Sequence, residues 1–362
     1  MSLLHQKFHQ WWYKKTGLTP AKLLLPFTFL YHSVQRKERL KGQVDATTKR
    51  YSVPIIVVGN ITLGGAGKTP FCIALVKFLA EKGLNAGVVS RGYGGTISRS
   101  ASDSSSTDPQ MVFPSSDPKI VGDEPVLIAQ QCACPIAVHP DRNVAVDYVL
   151  AATSNTQDSQ QLDLIICDDG LQHYSLPRDI EIAIVDAELG LGNGLLIPAG
   201  PLREKPERLE EVDFVVLNGE SSATSIGFEG EQDQAVYSMR LEVSNWRNIT
   251  TGAQVMLPQI PLSGAIHAVA GIANPMRFFN TLERLDIQFE AHPFKDHHAF
   301  TKEDLSFGNE VTVVMTAKDA VKCSSFATDQ FWSLDVEAQL APELLSSIYS
   351  KVCRLIEQKR DT

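Results

Sequence analysis

No apolar run in this chain is long enough to cross a bilayer: the best candidate, near the start, falls short of the ~20 residues a span needs and carries Lys22 and Pro26. No small-residue cleavage site follows it, which argues against a signal peptide. The six cysteines (Cys72, Cys132, Cys134, Cys167, Cys323, Cys353) are scattered, so no disulfide framework is implied and their usage points inside the cell. Cys132 and Cys134 lack the second close pair that a zinc site of that kind needs and read as structural. Basic residues are the minority, 33 Lys plus Arg against 42 Asp plus Glu, and a net charge of −9 argues against a general nucleic-acid coat.

What is present is enough for a sizeable core. With 362 residues, 43% hydrophobic and 21% charged, wholesale disorder and fibrous repeats are excluded and two domains are expected. The charge is unevenly spread: residues 1–50 hold ten Lys/Arg and two acids, a local +8, leaving −17 for the rest. In this basic head Leu4, Phe8 and Trp11 follow helical spacing. Thr19 and Pro20 then open a second helix with an apolar face of Leu23, Phe27, Leu30 and Val34 and a basic tail of Arg36, Lys37, Arg39 and Lys41. Two readings fit equally: a segment lying in an anionic membrane interface, or a helix packed on the protein's own core.

Residues 53–59 (VPIIVVG) read as a buried parallel strand. The strand runs into Asn60-Ile61-Thr62-Leu63-Gly64-Gly65-Ala66-Gly67-Lys68-Thr69 and then an amphipathic helix over 70–82 closed by Gly83. Strand, glycine loop, Lys-Thr and helix are the frame of a phosphate-binding P-loop, in which backbone N–H groups and the helix N-terminus face phosphate oxygens. Lys68 then reaches the β- and γ-phosphates and Thr69 offers its hydroxyl to Mg²⁺. The usual first glycine is replaced by Thr62.

Further strands are expected at 86–90, 136–138, 162–167, 180–185 and 212–217, giving an α/β fold: a P-loop-type, doubly wound, mostly parallel sheet with ligands at the strands' carboxyl ends. Asp168-Asp169 ends one strand, as a Mg²⁺-holding carboxylate would, or caps the following helix. Arg91-Gly92-Tyr93-Gly94-Gly95 ends another. Residues 98–118 and 153–161 are low in complexity and read as loops. In Val121-Gly122-Asp123-Glu124-Pro125, Asp123 is either a base for an acceptor hydroxyl or a simple complement to a helix N-terminus. An irregular stretch to residue 261 includes an alternating 235–243, expected as a β-hairpin linker. A smaller α/β unit follows, with strands at 266–270 and 311–315, a helix over 276–285, the cluster Phe294-Lys295-Asp296-His297-His298 and a closing helix over 341–359. Histidines near 292–298 suggest metal, or more simply an acid-oriented imidazole at Asp296-His297. The expected units are 1–50 (amphipathic head), 51–219 (P-loop core), 220–262 (linker) and 263–362 (smaller domain).

In order along the chain stand VGNITLGGAGKTP, SRGYGG, VGDEP, DDGLQH, GNGLLIPAGPLRE, AGIANPMRFF, FKDHHAF and TAKDAVK. By these motifs the chain resembles the tetraacyldisaccharide 4′-kinases, which phosphorylate a tetraacylated glucosamine disaccharide 1-phosphate at the cytoplasmic face of the Gram-negative inner membrane. The family accommodates Thr62, and usually has Glu where Ala317 stands. The resemblance implies ATP and Mg²⁺ as cofactors, with 62–69 (Thr62, Leu63, Gly64, Gly65, Ala66, Gly67, Lys68, Thr69) at the nucleotide. It implies Asp123 and His297 as a catalytic pair beside Lys68, and Thr69, Asp168, Asp169 and Glu204 around Mg²⁺. Arg91, Tyr93, Glu124, Arg142, Gln172, His173 and Arg203 would contact substrate. It further implies peripheral membrane association, a lipid-linked disaccharide as partner, no nucleic acid and no obligate protein partner. A regulatory GTPase or metallochaperone is a rival, but its guanine-reading Asn/Thr-Lys-x-Asp would fall at Asn218-Gly219-Glu220-Ser221, which lacks the Lys and the Asp. A soluble P-loop kinase or ligase for a small metabolite explains the core and leaves the aromatic, basic head without a purpose.

Overall fold

The computed structural model describes residues 10–14, 19–99, 108–154, 161–220, 235–308 and 311–361. Leu4, Phe8, Lys7 and Lys15 of the head, and residues 100–107 and 155–160 of the two low-complexity stretches, lie outside these residues. In chain order the main elements are α1 (Leu25–Thr47), β1 (Ile55–Gly59), α2 (Lys68–Glu81), β2 (Ala86–Ser90), β3 (Gln110–Met111), α3 (Asp123–Gln131), β4 (Ile136–Val138), α4 (Arg142–Ser154), β5 (Leu164–Asp168), β6 (Ile180–Asp186) and β7 (Phe214–Asn218). There follow β8 (Val236–Asn248), β9 (Gln254–Met256), β10 (Ala265–Ala270), α5 (Pro275–Arg284), β11 (Glu290–Pro293), β12 (Val311–Thr316), α6 (Ala317–Cys323), β13 (Phe331–Leu340) and α7 (Pro342–Arg360).

The strands form one sheet in the order β11-β10-β12-β13-β8-β7-β6-β1-β5-β2-β4-β3, with β9 added beside β8. Around β1 the pairing is parallel, and the alternation along β1 shows why the sheet is covered on both faces. Ile56 and Val58 enter an apolar cluster with Phe71 and Leu75 of α2 and Val126 of α3. Ile55 and Val57 enter a second cluster with Ala145, Val146 and Val149 of α4. The closing helix α7 sends Leu344, Ile348, Val352 and Ile356 into the first of these clusters, so the last element of the chain completes the core around the P-loop helix.

The stretch read as a linker with a hairpin does contain one, since β9 folds back antiparallel on β8, but β8 is also the strand that joins the two parallel halves of the sheet. β8 runs thirteen residues, pairs in parallel with β7 at its start and antiparallel with β13 thereafter, with an irregularity at Asp335/Val336. Its alternating pattern satisfies a sheet on both edges, which a hairpin reading of 235–243 alone undercounts. β11 and β13 were not expected. β11 is a four-residue edge strand (EAHP) with three of its residues exposed, where hydrophobic patterning gives no signal.

One face of the head packs on the protein's own core and the other is exposed. Thr28 and Tyr31 hydroxyls donate to Leu196 and Arg203 carbonyls, Gln35 donates to the Arg203 carbonyl, and Gly42 lies against Tyr174, where a Cβ would come within 2.8 Å of the Tyr174 side chain. This face is docked. Leu23, Phe27, Leu30 and Val34 form the other stripe and are 50–80% exposed, with Phe29, Leu40 and Val44 also exposed. Of the basic tail, Arg39 belongs to the docked side: it pairs with Glu211 and lies over the Tyr174 ring. Upstream, Trp12 Nε1 donates to the Pro198 carbonyl and the Tyr13 hydroxyl to that of Leu63, so the segment before α1 also touches the core.

Candidate active site

β1 delivers Asn60 and the glycine loop to the carboxyl edge of the sheet. The loop's entrance is clamped: Leu63 N–H donates to the Pro201 carbonyl, Arg203 N–H to that of Ile61, and Thr62 bridges to Leu202. Thr62 and Leu63 are therefore held from behind, leaving Gly64 to Lys68 to form the cradle. Gly67 caps α2 at φ 95°, and a Cβ there would come within 2.6 Å of the Asn218 amide, whose Nδ2 donates to the Ala66 carbonyl. Left-handed backbone and close approach together require glycine at this position. Lys68 Nζ donates to Asn60 Oδ1 at 3.2 Å and lies 3.3 Å from Asp169 Oδ1. Thr69 is buried in the first turn of α2.

The two adjacent carboxylates at the end of β5 have opposite environments. Asp168 is fully buried; Oδ1 accepts from Cys72 Sγ at 3.6 Å, while Oδ2 has no hydrogen-bond partner among the described residues. Burial, reinforced by the nearby negative charge of Glu124, pushes its pKa up to about 7. Burial acts on Asp169 in the same sense, but Lys68, Arg203 and Arg142 outweigh it and hold this carboxyl well below the ordinary range. Asp169 also sits at φ 51°, a backbone strain of the kind found at functional sites. A buried carboxylate oxygen without a hydrogen-bond partner, at the strand end next to the P-loop strand, suits a hard, oxygen-seeking cation, so the residues present fit Mg²⁺.

Arg91, Arg142 and Arg203 gather around Asp169. Burial, and then the repulsion of Arg142, lower the Arg91 pKa, the mark of an under-compensated cationic cluster. Arg203 reaches Asp169 at 3.3 Å and Gln172 Oε1 at 3.3 Å. The guanidinium of Arg142 is committed to the backbone, donating to the Pro140 and Asp169 carbonyls. Gln172 Nε2 donates to the Asn60 carbonyl and to Glu204 Oε1 at 2.7 Å, and the other Glu204 oxygen takes the Tyr174 hydroxyl. Expected as metal ligands, Asp169 and Glu204 thus spend their oxygens on Lys68 and Arg203, and on Gln172 and Tyr174. His173 Nε2 lies 3.2 Å from Asp141 Oδ1 and 3.2 Å from the Ser175 hydroxyl, behind the cationic cluster.

Facing this wall is a second one. Asp123 opens α3, with Oδ1 accepting the Glu124 N–H, and its Oδ2 lies 3.1 Å from His297 Nδ1 of the loop after β11. Lys318, at the start of α6, is 3.3 Å from His297 Nε2 and 2.9 Å from Glu124 Oε1. A lysine ammonium has only donors, so the Nε2 it faces must accept and the ring proton resides on Nδ1, pointing at Asp123. Burial would raise the Asp123 pKa, but the His297 hydrogen bond and the Lys318 charge outweigh it and hold the carboxyl below its ordinary value. Burial opposes the charge of Lys318, yet Glu124, Asp123 and Asp296 dominate and keep it firmly protonated. Tyr93 packs edge-on against the His297 ring at 4.8 Å, and His297 is itself left-handed, at φ 55°. Gly94 makes room: a Cβ there would stand 3.3 Å from His297 Nδ1.

A family model described as tetraacyldisaccharide-1-P 4′-kinase matches residues 20–353. The chain belongs to this kinase family. The tetraacyldisaccharide 4′-kinase of Pseudomonas putida strain F1 is 43% identical over 350 residues, covering 96% of this chain and 97% of that one. That of Methylobacillus flagellatus is 41% identical over 359 residues, covering 98% and 99%. The solved LpxK of Aquifex aeolicus, in complex with ATP, has the same fold: TM-score 0.72 over 93% of this chain and 100% of its own, at 24% identity.

Membership of the 4′-kinase family sets aside the GTPase and small-metabolite readings; Asn218, the position a guanine-reading motif would have used, is buried against the P-loop. Two residues received no role from sequence and have one in the geometry. Asn60 orients Lys68, and Lys318 bonds both Glu124 and His297. The signal for Lys318 was present, a lysine two residues past a strand in a Lys- and Asp-rich segment, but its partners lie 21 and 194 residues away.

Proposed function

We propose that the protein transfers the γ-phosphoryl group of ATP to the 4′-hydroxyl of a tetraacylated glucosamine disaccharide 1-phosphate, giving the 4′-phosphorylated lipid A precursor. The observation that carries this reading is the 3.1 Å contact between Asp123 and His297, which sets a base at the strand ends that also bear the P-loop. Phosphoryl transfer passes through a loose transition state, so most of the catalysis lies in position and charge. Lys68, aligned by Asn60 and Asp169, neutralises phosphoryl oxygens. Arg91 and Arg203 add positive charge on the same side.

Asp168 Oδ2 and the Thr69 hydroxyl would hold Mg²⁺, which when bound screens the negative charge of the phosphates. Asp169 and Glu204 act one step back by fixing Lys68, Arg203 and Gln172. Because the acceptor hydroxyl loses its proton late in a loose transition state, a weakly basic carboxylate suffices; Asp123 takes that proton, and the Nδ1–H of His297 keeps the carboxylate aimed.

The acceptor's acyl chains place it in a bilayer, and α1, with the short helical turn at Pro20–Leu24 before it, supplies the matching surface. Leu23, Phe27, Leu30 and Val34 stand exposed on the side away from the docked face, and full burial of each in acyl chains contributes about 1.5–3 kcal/mol. Among the described residues no helix is long and apolar enough to cross a membrane. The proposal is a peripheral enzyme at the cytoplasmic face of the inner membrane. Incubating the full chain with labelled ATP, Mg²⁺ and detergent-dispersed disaccharide 1-phosphate tests the whole reading: a bis-phosphorylated lipid supports it, and hydrolysis of ATP without labelled lipid overturns it.

A further inference from the structure

On the outer edge of the sheet, away from the P-loop, His267 of β10 and Glu290 and His292 of β11 converge. His267 and Glu290 are register partners, and Glu290 and His292, two apart on one strand, share a side of the sheet. One ligand atom from each of the three lies within 4.8 Å of the other two. His267 Nδ1 is 3.0 Å from His292 Nε2, and each imidazole is 3.8 Å from a Glu290 oxygen. These separations are close to the roughly 3.3 Å between donors that a tetrahedral ion with bonds of about 2.0–2.1 Å imposes.

The rings are also pre-set. Phe307 stacks on both, at 4.4 Å and an interplanar angle of 2° for His267 and at 4.2 Å for His292. Glu290 is 70% exposed at its side chain, leaving an open side for water as a fourth ligand. Hydrogen bonding alone accounts poorly for the cluster: two imidazoles use one bond between them, and the carboxylate stands beyond hydrogen-bond distance of both.

We propose that His267, Glu290 and His292 form a binding site for a divalent transition ion of the zinc class, with two imidazoles, one carboxylate and an open position. The donor set selects zinc or cobalt over Mg²⁺ and Ca²⁺, which prefer all-oxygen shells. The ion ties edge strand β11 to β10 five residues before His297, and so anchors the segment that carries the base-orienting imidazole.

The test uses the metal-stripped full-length protein in detergent with saturating Mg²⁺, titrated with Zn²⁺ by calorimetry and with Co²⁺ by visible absorption. The expected result is one ion per chain with the absorption bands of tetrahedral cobalt and a raised Tm. His267→Gln and Glu290→Gln should each weaken binding by roughly tenfold or more, whereas Asp168→Asn should leave it unchanged. Glu290 is exposed enough that its variant folds, which keeps the test decisive if a histidine variant does not. Absence of stoichiometric binding to the folded wild type, equal binding by wild type and Glu290→Gln, or loss of binding in Asp168→Asn overturns the proposal.

Discussion

The two walls of the cleft are built on different principles. On the phosphate wall the charges compensate one another within one stretch of chain: Lys68, Asp169, Gln172 and Arg203 all lie between residues 60 and 204 and contact one another there. On the opposite wall the contacts that tie the α3 carboxylates to the rest cross between distant parts of the chain, Asp123 to His297 and Glu124 to Lys318. The first wall is a preformed receptor, and the second is assembled by bringing two halves together, so it is the natural place for substrate binding to control chemistry.

The largest expected effect on turnover tests the preformed wall. Lys68→Ala should lower turnover by on the order of a hundredfold or more, about 3 kcal/mol in the transition state, with an unchanged circular-dichroism spectrum. Turnover near wild type would remove the P-loop lysine from the mechanism.

On the assembled wall, Asp123→Ala and His297→Ala should each cost roughly a hundredfold in turnover while barely changing ATP affinity. The double variant should fall little further, since the two groups act as one unit. Effects that multiply would mean the residues work separately.

The comparison extends to α1, whose apolar stripe belongs to neither wall. Replacing Leu23, Phe27 and Leu30 together by Ser should weaken binding to anionic vesicles by roughly a thousandfold or more, and leave turnover on detergent-dispersed acceptor intact. Added salt should weaken binding of both proteins by screening Lys14, Arg36 and Lys37. Vesicle binding that survives the triple change would assign these side chains to another role.

The smallest effect sharpens the assembled wall. The folded pKa of Asp123 lies below its unfolded value near ~3.9, so the stability it contributes is present above that pH and is lost as pH falls through the folded value. Lys318→Met removes a charge that holds the pKa down. The acid limb of kcat/KM should therefore move to higher pH, with turnover reduced about tenfold; a limb that stays put would show that Lys318 does not act on Asp123.

This difference between the walls also explains what could be read from sequence. The P-loop was legible because its parts are contiguous: strand, glycines, Lys68 and Thr69 follow one another, and β1, β2 and β5 begin and end within two residues of their hydrophobic runs. Asp123 and His297 could be paired only through a family resemblance, since no local rule joins residues 174 apart. The bland reading of Asp123, as a complement to a helix N-terminus, was also correct in part, for it begins α3 and caps its own next N–H. For the carboxylates, sequence types could not distinguish Asp168 from Asp169, because what separates them is whether Lys68 and Arg203 reach the oxygen. α1 could not be settled by pattern alone either: its apolar stripe was legible, but only the polar contacts of Thr28, Tyr31 and Gln35 decide which face meets the protein.

The position of α7 has a consequence for biosynthesis. Its four apolar residues belong to the same cluster as the P-loop helix, although more than 260 residues of chain separate them. While the polypeptide is still emerging from the ribosome, the nucleotide-binding half therefore lacks one side of its core, and an oily groove over α2 stays open until the final twenty or so residues arrive. A product halted after residue 340 would carry every residue named at both walls and still present that groove to chaperones and proteases. Exposure of that groove would therefore distinguish a chain that still lacks α7 from one in which α7 has docked.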